Sequence, residues 1–484
     1  MRKFIEQQLF EFDSQELMRI LKILSAAALL VILYAFVFSG FQIVDEFEHL
    51  HAAWLVSIGK VPYADFFEHH NPLLWYLSAP IVNAFYDDVI IFYVMRGVSF
   101  LCSVLTVWYI YRIALFFESR TGAWLAVALT LCNIITVYNF SQFRPDNYMN
   151  LCFIIGTYYW FCYLRTNRTT DLIYSFLAFT LSALFLQKIS LLLIGVEGII
   201  LFLIYKKKMS FKATTIAALP AVGVMFLFIG FIYSQDALLE YIELNINFNQ
   251  AMVANFERGA FWYRNYYFSF YGAALAAALY LFNKENIYYK ILAALYVMEF
   301  IMRGFYFAPH PNYYTLLTML AALVLSAITK IIMPRHKIIC IIGVIGLFLY
   351  LGNIFNQVDS TSARHNSYSH YKLADYVHKN SNQADLLMNG YDKNFNIYRR
   401  DVSYYWFGLD MLLPVMEKEY GAENKIDVNA LVLQFRPKFV YKADYVDLQA
   451  LRAYGEHKYS QKFIPEIINA LYQPTPFENL VVLK

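Results

Sequence analysis

The densest group of chemically active side chains lies in residues 44–76, VDEFEHLHAAWLVSIGKVPYADFFEHHNPLLWY. The stretch carries two acidic groups and four histidines, namely Asp45, Glu46, Glu48, Asp65, Glu68, His49, His51, His69 and His70. It directly follows the first long apolar segment. Because charge is expensive inside a bilayer, a dense charged stretch at this position indicates a site at the membrane surface. A carboxylate such as Asp45 could accept a proton from a hydroxyl group there, or orient that group.

The mixture of imidazoles and carboxylates could also bind a divalent metal ion. The candidate ligands for such an ion are Asp45, Glu48, His49 and His70. The spacing matches no defined metal motif, and two histidines two residues apart, His49 and His51, point to different faces of a helix. In the alternative interpretation, Asp65, His69 and His70 contact the phosphate or sugar of a substrate.

Five further basic residues are predicted in membrane spans or in the short loops on their outer side, where basic residues are uncommon. They are Arg96, Arg144, Lys188, Arg303 and His310. We expect them to bind an anion, since arginine and lysine are the usual phosphate ligands. Asp146, two residues after Arg144, could contact sugar hydroxyls. The alternatives are snorkelling for Arg96 and Lys188, a helix-capping role for Asp146, and a turn of the aromatic belt for Arg303 and His310.

The composition predicts a multi-span membrane protein. Of its 484 residues, 59% are hydrophobic and 15% are charged, against about 25% charged in soluble proteins. The mean hydropathy is +0.43. The net charge of +3 gives no indication of nucleic-acid binding, because the basic residues occur in short scattered clusters. The five cysteines all lie in predicted spans, so we expect no disulfide framework.

Apolar runs of about 17–24 residues predict eleven spans. We place them at residues 23–38, 90–111, 121–139, 147–164, 172–187, 189–205, 213–233, 265–283, 288–307, 313–331 and 338–354. Residues 72–85 are apolar but too short to cross, and we predict an interfacial or re-entrant helix. With this count the clustered lysines and arginines of the short loops share one side. The N-terminus is then cytoplasmic, while residues 41–89 and the C-terminus lie outside.

The polar residues after the last span predict a separate small α/β domain. We set the boundaries at 1–355 for the transmembrane part, with its first outer loop at 41–89, and at 356–484 for the C-terminal domain. Helix-like runs occur at 371–379 and 426–435. Strand-like runs occur at 384–388, 438–441 and 480–483.

The chain resembles the GT-C superfamily of lipid-linked-sugar glycosyltransferases, closest to family 39, which holds protein O-mannosyltransferases and the aminoarabinose transferase of lipid A. The matching residues are Asp45-Glu46 after the first span, the run from Asp65 to the Pro-Leu-Leu at 72–74, Arg144-Pro-Asp146, and His310-Pro-Asn-Tyr-Tyr. The resemblance implies that Asp45, with Glu46, and Asp146 are catalytic acidic residues. Aminoarabinose transferases carry a lysine before the proline of the first loop. Here His70 or Asn71 stands at that place, which counts against the aminoarabinose reaction.

The resemblance implies transfer of a sugar from a polyprenyl-phosphate donor, with inversion, to a lipid, polysaccharide or protein outside the cytoplasm of a bacterial inner membrane. The leaving group is already an anion, so the reaction needs cationic stabilisation more than a general acid. Two alternatives stay open: a transporter or flippase of a lipid-linked sugar, and a polysaccharide polymerase or ligase that uses diphosphate donors. Transporters place polar groups near the bilayer midplane and often contain inverted repeats, whereas the unusual charges here are predicted on one face.

Overall fold

The computed structural model describes residues 14–40, 43–255, 267–305, 311–332, 337–364, 366–389, 395–402, 427–442 and 463–484. These residues are mostly helical, as predicted. The chain divides into two compact units. The first comprises Met1–Ser39, Arg96–Phe226 and Ala260–His365, and the second comprises Gly40–Met95, Leu227–Gly259 and Asn366–Lys484. The domain boundary predicted at residue 355 stays a prediction.

The helices are numbered here in chain order. Those up to residue 205 are α1 Ser14–Phe38, α2 Ile43–Ser57, α3 Leu73–Ala84, α4 Ile91–Ala114, α5 Arg120–Leu131, α6 Ile134–Phe140, α7 Pro145–Thr166, α8 Thr169–Phe185 and α9 Ser190–Tyr205. The later ones are α10 Phe211–Ser234, α11 Leu238–Tyr241, α12 Phe248–Asn255, α13 Tyr267–Phe282, α14 Ile287–Phe305, α15 Thr315–Ile332, α16 Lys337–Arg364, α17 Ser367–Lys379, α18 Val428–Phe435 and α19 Pro465–Leu471. Short 3₁₀ turns occur at Leu115–Phe117, Gln187–Ile189 and Pro311–Tyr314, and a π-helical turn at Ile242–Asn247.

The multi-pass prediction is confirmed. Within the described ranges, four helical stretches are long and apolar enough to cross a bilayer: Gln15–Phe38, Ile91–Phe117, Gln187–Tyr205 and Phe211–Ser234. The bent pair α5 and α6 would make a fifth. The other predicted spans contain helices that are shorter or less apolar, so the count of eleven stays a prediction. Residues 72–85 form only the 12-residue helix α3, in agreement with the short helix predicted there.

The span predicted over 121–139 is not one continuous helix. Helices α5 and α6 meet at a bend of 74° between Leu131 and Ile134. Asn133 has extended backbone, and its side-chain oxygen accepts a hydrogen bond from the Ile135 backbone N–H at 3.0 Å. An asparagine in this geometry is a helix N-cap, so a single polar residue starts a new helix inside the apolar run.

The first helix also differs from the prediction, which began the span at residue 23. Helix α1 already begins at Ser14. In its first turns, Leu17 and Leu21 are buried against Ala128 of α5. Apolar packing therefore extends the helix through the charged residues that precede the predicted span.

The C-terminal residues contain the predicted small sheet. Its strands are β1 Leu386–Met388, β2 Arg400–Asp401, β3 Phe439–Tyr441, β4 Tyr472–Pro474 and β5 Leu480–Leu483, in the order β2-β1-β3-β5-β4. The strands β2, β1 and β3 are parallel, and β3, β5 and β4 are antiparallel. Val440 of β3, paired with Val481 of β5, belongs to the apolar core that α18 and α19 cover.

Within the second unit, residues 395–402 hold the first loop and α2. The guanidinium of Arg399, 1% exposed, donates to both carboxylate oxygens of Asp87, at 2.5 and 3.2 Å. The Tyr398 hydroxyl donates to the backbone oxygens of Val82 and Phe85, at 3.1 and 2.8 Å. The His51 Nδ1 of α2 donates to the Ile397 carbonyl at 3.0 Å. Residues 395–402 thus stabilise the first outer loop through these hydrogen bonds.

Candidate functional site

Helix α2 presents the predicted acidic pair in its first turn. Asp45 is partly exposed, whereas Glu46 is buried. Carboxylates are favourable at a helix N-terminus, where the free backbone N–H groups carry partial positive charge. Glu48 follows three residues after Asp45 and so lies on the same face of the helix. The local fold therefore places both carboxylates on one side of α2.

Four side chains of the first loop form one compact group, which we call the carboxylate–histidine cluster: Glu48, Glu68, His69 and His70. One ligand atom from each lies within 4.8 Å of the other three. His70 Nδ1 stands 3.5 Å from Glu48 Oε1 and 3.5 Å from Glu68 Oε2. Both glutamates are buried, while the His70 side chain is 20% exposed. The cluster is thus reached from the side of His70.

The electrostatics of the cluster follow from burial. Loss of water and the neighbouring Glu48 carboxylate raise the pKa of Glu68 to about 8, although contact with His70 opposes the shift. Burial, with a smaller effect of His70, lowers the pKa of His69 well below its usual range. The cluster therefore contains a carboxyl group that lacks full compensation for its negative charge.

Other candidates from the first loop make different contacts. His49 Nδ1 accepts a hydrogen bond from the indole N–H of Trp75 at 3.2 Å. Asp65 pairs with Lys60 at 3.2 Å and accepts from the Val61 backbone N–H at 2.8 Å, in an exposed turn. Of the four metal ligands predicted from the sequence, Glu48 and His70 are in the cluster. Glu68 and His69 complete it, instead of Asp45 and His49.

A second group lies in the first unit, and we call it the cationic cluster: Arg144, Asp146, Lys188, Arg303 and Tyr313. The ammonium group of Lys188 pairs with one oxygen of Asp146, and Arg144 Nε lies 3.5 Å from the other. Lys188 Nζ lies 4.2 Å, and Arg303 Cζ 5.9 Å, from the centre of the Tyr313 ring. Aromatic faces attract cations at such distances. The structure therefore brings together four of the predicted residues.

Local sequence explains how these side chains are presented. Pro145 starts α7 at its first position, which its fixed φ angle favours, and Asp146 follows in the first turn. Lys188 lies in the 3₁₀ turn Gln187–Ile189 between α8 and α9. No cap hydrogen bond forms from the side chain preceding α7. Asp146 lies in the first helical turn, after the N-cap position of Arg144, and its observed contacts include the ion pairs with Lys188 and Arg144.

Glu299 is a partner that the sequence reasoning missed. It lies one turn before Arg303 in α14, is fully buried, and accepts from Arg303 Nε at 2.7 Å. The signal was present, because a glutamate four residues before an arginine in an apolar helix predicts a pair on one face.

Two remaining candidates are outside these groups. Arg96 is buried and donates to the Phe36 and Ser39 carbonyls, at 2.5 and 3.0 Å. These oxygens lie at the C-terminus of α1, where an arginine commonly satisfies the last carbonyls, so this contact gives Arg96 a structural role. His310 lies outside the described residues.

A family model supports the resemblance. Residues 70–233 match the model described as dolichyl-phosphate-mannose-protein mannosyltransferase. Among curated proteins, none is significantly similar to the chain.

Solved structures show the fold. The aminoarabinose transferase ArnT from Cupriavidus metallidurans, bound to undecaprenyl phosphate, superposes with a TM-score of 0.57 at 9% identity, over 82% of this chain and 88% of that one. The Archaeoglobus fulgidus oligosaccharyltransferase, tethered to an acceptor peptide, gives a TM-score of 0.47 at 12% identity, over 89% and 69%. The superposition on ArnT shows that the two chains share a fold, and residues 70–233 of this chain match the mannosyltransferase family model.

Proposed function

We propose that the protein transfers a sugar from a polyprenyl-phosphate donor to an acceptor on the outer side of a bacterial inner membrane, with inversion at the anomeric carbon. The acceptor is a lipid, a polysaccharide or a protein. The donor class is supported by the family description and by the undecaprenyl phosphate bound to the ArnT relative.

The observation that carries this proposal is the cationic cluster. Lys188 and Arg303 lie over one tyrosine ring, and Arg144 lies near Lys188 through their shared partner Asp146. Three cations thus lie close to two carboxylates, Asp146 and Glu299. A cation-rich group that is largely removed from water suits a phosphate anion.

The reaction is a substitution at the anomeric carbon. The bond from this carbon to the phosphate oxygen breaks, and its electron pair leaves with the polyprenyl phosphate. The acceptor oxygen forms the new bond and gives up its proton. The cationic cluster would stabilise the charge that develops on the phosphate, as preorganised cations do in phosphate chemistry.

Asp45 is our candidate for the proton acceptor. It is partly exposed in the first turn of α2, so water or a substrate hydroxyl can reach it. The family resemblance, which implies a catalytic acidic residue at this position, supports the same choice. Glu46, which the resemblance implies as the second catalytic carboxylate, is buried beside it.

The test is transfer from radiolabelled polyprenyl-monophosphate sugars to membrane acceptors by purified protein in lipid. We expect Asp45→Asn to reduce the rate by about 10²- to 10⁴-fold, the usual contribution of a general base. Lys188→Met should chiefly weaken donor use. Asp171→Asn is the matched control, because Asp171 lies in the first turn of α8, where it accepts a hydrogen bond from Thr166 and belongs to neither cluster.

The outcomes separate the alternatives. Full activity of Asp45→Asn with a hydroxyl acceptor would show that Asp45 is not the proton acceptor. Transfer from diphosphate donors alone would indicate a polymerase or ligase. No transfer, together with movement of the labelled lipid across the bilayer, would indicate a transporter.

A further inference from the structure

The first unit contains a cavity of about 680 Å³ between two of its turns, which we call the basic cavity. One wall comes from the turn that joins α7 to α8, and the other from the turn that joins α9 to α10. None of the lining residues belongs to either cluster described above. The predicted topology places both turns on the cytoplasmic side. The volume lies within the range of ligand pockets, about 300–1,000 Å³.

Three lysines provide the charge of the basic cavity. Lys207 and Lys208 lie in the turn after α9, and Lys212 lies in the first turn of α10. The lining contains no aspartate or glutamate, and no carboxylate in the described part of the chain pairs with any of these three ammonium groups. The free backbone N–H groups at the start of α10 add partial positive charge. Like charges gathered in one place repel each other, so an anion between them would be favourable.

Buried contacts fix the turn that carries these lysines. Met209 is buried, and its sulfur accepts a hydrogen bond from the indole N–H of Trp160 at 3.4 Å. The Ser210 backbone N–H donates to the Tyr163 hydroxyl at 3.2 Å. The Ser210 hydroxyl oxygen accepts from the Ala213 backbone N–H at 3.3 Å, which is the contact of a helix N-cap. The turn is therefore held against α7, and a ligand would not have to order it.

One side of the basic cavity is apolar and continues along α10. Phe211 and Ile216 line the cavity, and the Phe211 side chain is 70% exposed. Leu219, three residues further along α10, is 65% exposed. Because α10 is long and apolar enough to span the bilayer, these exposed side chains suit contact with hydrocarbon. A ligand would thus meet positive charge at one end and an apolar surface at the other.

We propose that the basic cavity binds the headgroup of an anionic phospholipid, whose acyl chains lie along α10. Lysine is a common ligand of phosphate groups, and basic pockets between transmembrane helices on the cytoplasmic side are typical sites for anionic headgroups. The apolar side favours a lipid over a free anion such as inorganic phosphate. A bound headgroup would connect the two turns. The proposal goes beyond the sugar transfer and does not depend on it.

The test measures lipid binding by the full chain in neutral detergent. Delipidated protein is titrated with phosphatidylglycerol, phosphatidylcholine or inorganic phosphate, and bound lipid is counted by native mass spectrometry beside the thermal unfolding midpoint. We expect saturable binding of phosphatidylglycerol with a higher midpoint, weaker binding of phosphatidylcholine, and no effect of inorganic phosphate at the same concentration. The double variant Lys208→Gln/Lys212→Gln should lower the affinity for phosphatidylglycerol about tenfold or more.

The matched control is Lys284→Gln/Lys290→Gln. It removes the same charge from the same unit, between α13 and the first turn of α14, and should bind as wild type does. Lys207→Asn is a second variant of the basic cavity. The φ angle of Lys207 is +55°, which asparagine adopts more readily than lysine, so a loss of affinity in this variant would not come from a strained turn.

Three results would overturn the proposal. Equal affinity of wild type and both cavity variants would mean that the lipid binds elsewhere. An equal loss in the control variant would mean that binding follows net charge rather than the cavity. An equal response to inorganic phosphate would show a site for free anions instead of a lipid. None of these results depends on whether the protein transfers sugar.

Discussion

Acidification should destabilise the second unit through His378, a buried histidine of α17. Its Nδ1 donates to the Ala374 carbonyl at 2.7 Å, because a carbonyl oxygen can only accept. Its Nε2 accepts from the Tyr398 backbone N–H at 3.1 Å. Both ring nitrogens are satisfied only in the neutral form. A proton on Nε2 would turn this atom into a donor that faces the Tyr398 backbone N–H, which is also a donor.

The charges and the solvent around this ring agree with that geometry. Burial, together with the nearby Arg399, lowers the pKa of His378 to about 4, although the Ala374 carbonyl, Asp87 and Asp375 oppose the shift. An unfolded histidine has a pKa of about 6.5. Between these values the unfolded chain binds a proton that the folded chain does not. Stability therefore falls as the pH falls from 6.5 to 4, and does not change above that range.

The size of the effect follows from the two pKa values. Each pH unit in the window contributes about 1.4 kcal/mol, so the loss approaches about 3 kcal/mol at pH 4 and is about 2 kcal/mol between pH 7.5 and 5. The assay compares thermal unfolding of wild type and His378→Gln in detergent across this range. Glutamine does not titrate, so the stability gap between the two proteins should narrow by about 2 kcal/mol on acidification.

The comparison cancels other titrating groups that the two proteins share. A gap that stays constant from pH 7.5 to 5 would refute the reasoning, because it would mean that His378 binds protons equally in both states. A gap that widens would mean that the charged form is preferred in the fold.

Two further predictions concern structural polar residues. Arg399→Met should destabilise the protein by about 1–3 kcal/mol, because the carbonyls of His378, Tyr398 and Ser381 lose the buried donors of its guanidinium. Asp87→Asn leaves these contacts in place and changes a side chain that is 40% exposed, so it should cost less; equal losses in unfolding experiments would contradict this. Asn133→Ala should lower stability by about 1 kcal/mol through loss of the α6 cap, whereas Asn133→Ser should largely retain it, and two equally destabilised variants would show that the cap is not the reason.

Residues close in sequence were predicted well. Asp45 and Glu46 follow the first apolar helix, and Lys188 lies in a short turn between two apolar helices, as predicted, although the helix α2 within the predicted first outer loop was not. The strand-like runs at 384–388, 438–441 and 480–483 each contain a strand of the observed sheet. In these cases hydrophobic period and turn composition are sufficient.

Contacts between distant residues could not be predicted. Glu48 and Glu68 are 20 positions apart, and no spacing rule joins a helix to a loop that returns to it. The strand β2 has two residues and β4 ends in a proline, so neither gives an alternating pattern. The bend at Asn133 was missed because one polar residue in an apolar run does not end a predicted span, although its side chain can cap a helix.

The ion pair between Asp87 and Arg399 also sets an order of events during synthesis. The two residues are 312 positions apart in the chain. At about 5–20 residues per second, on the order of 15–60 s passes between the emergence of the first loop and that of its partner. During this interval Asp87, Val82 and Phe85 lack their contacts with Tyr398 and Arg399. A chain whose synthesis stops before residue 398 therefore never forms the hydrogen bonds that hold its first outer loop.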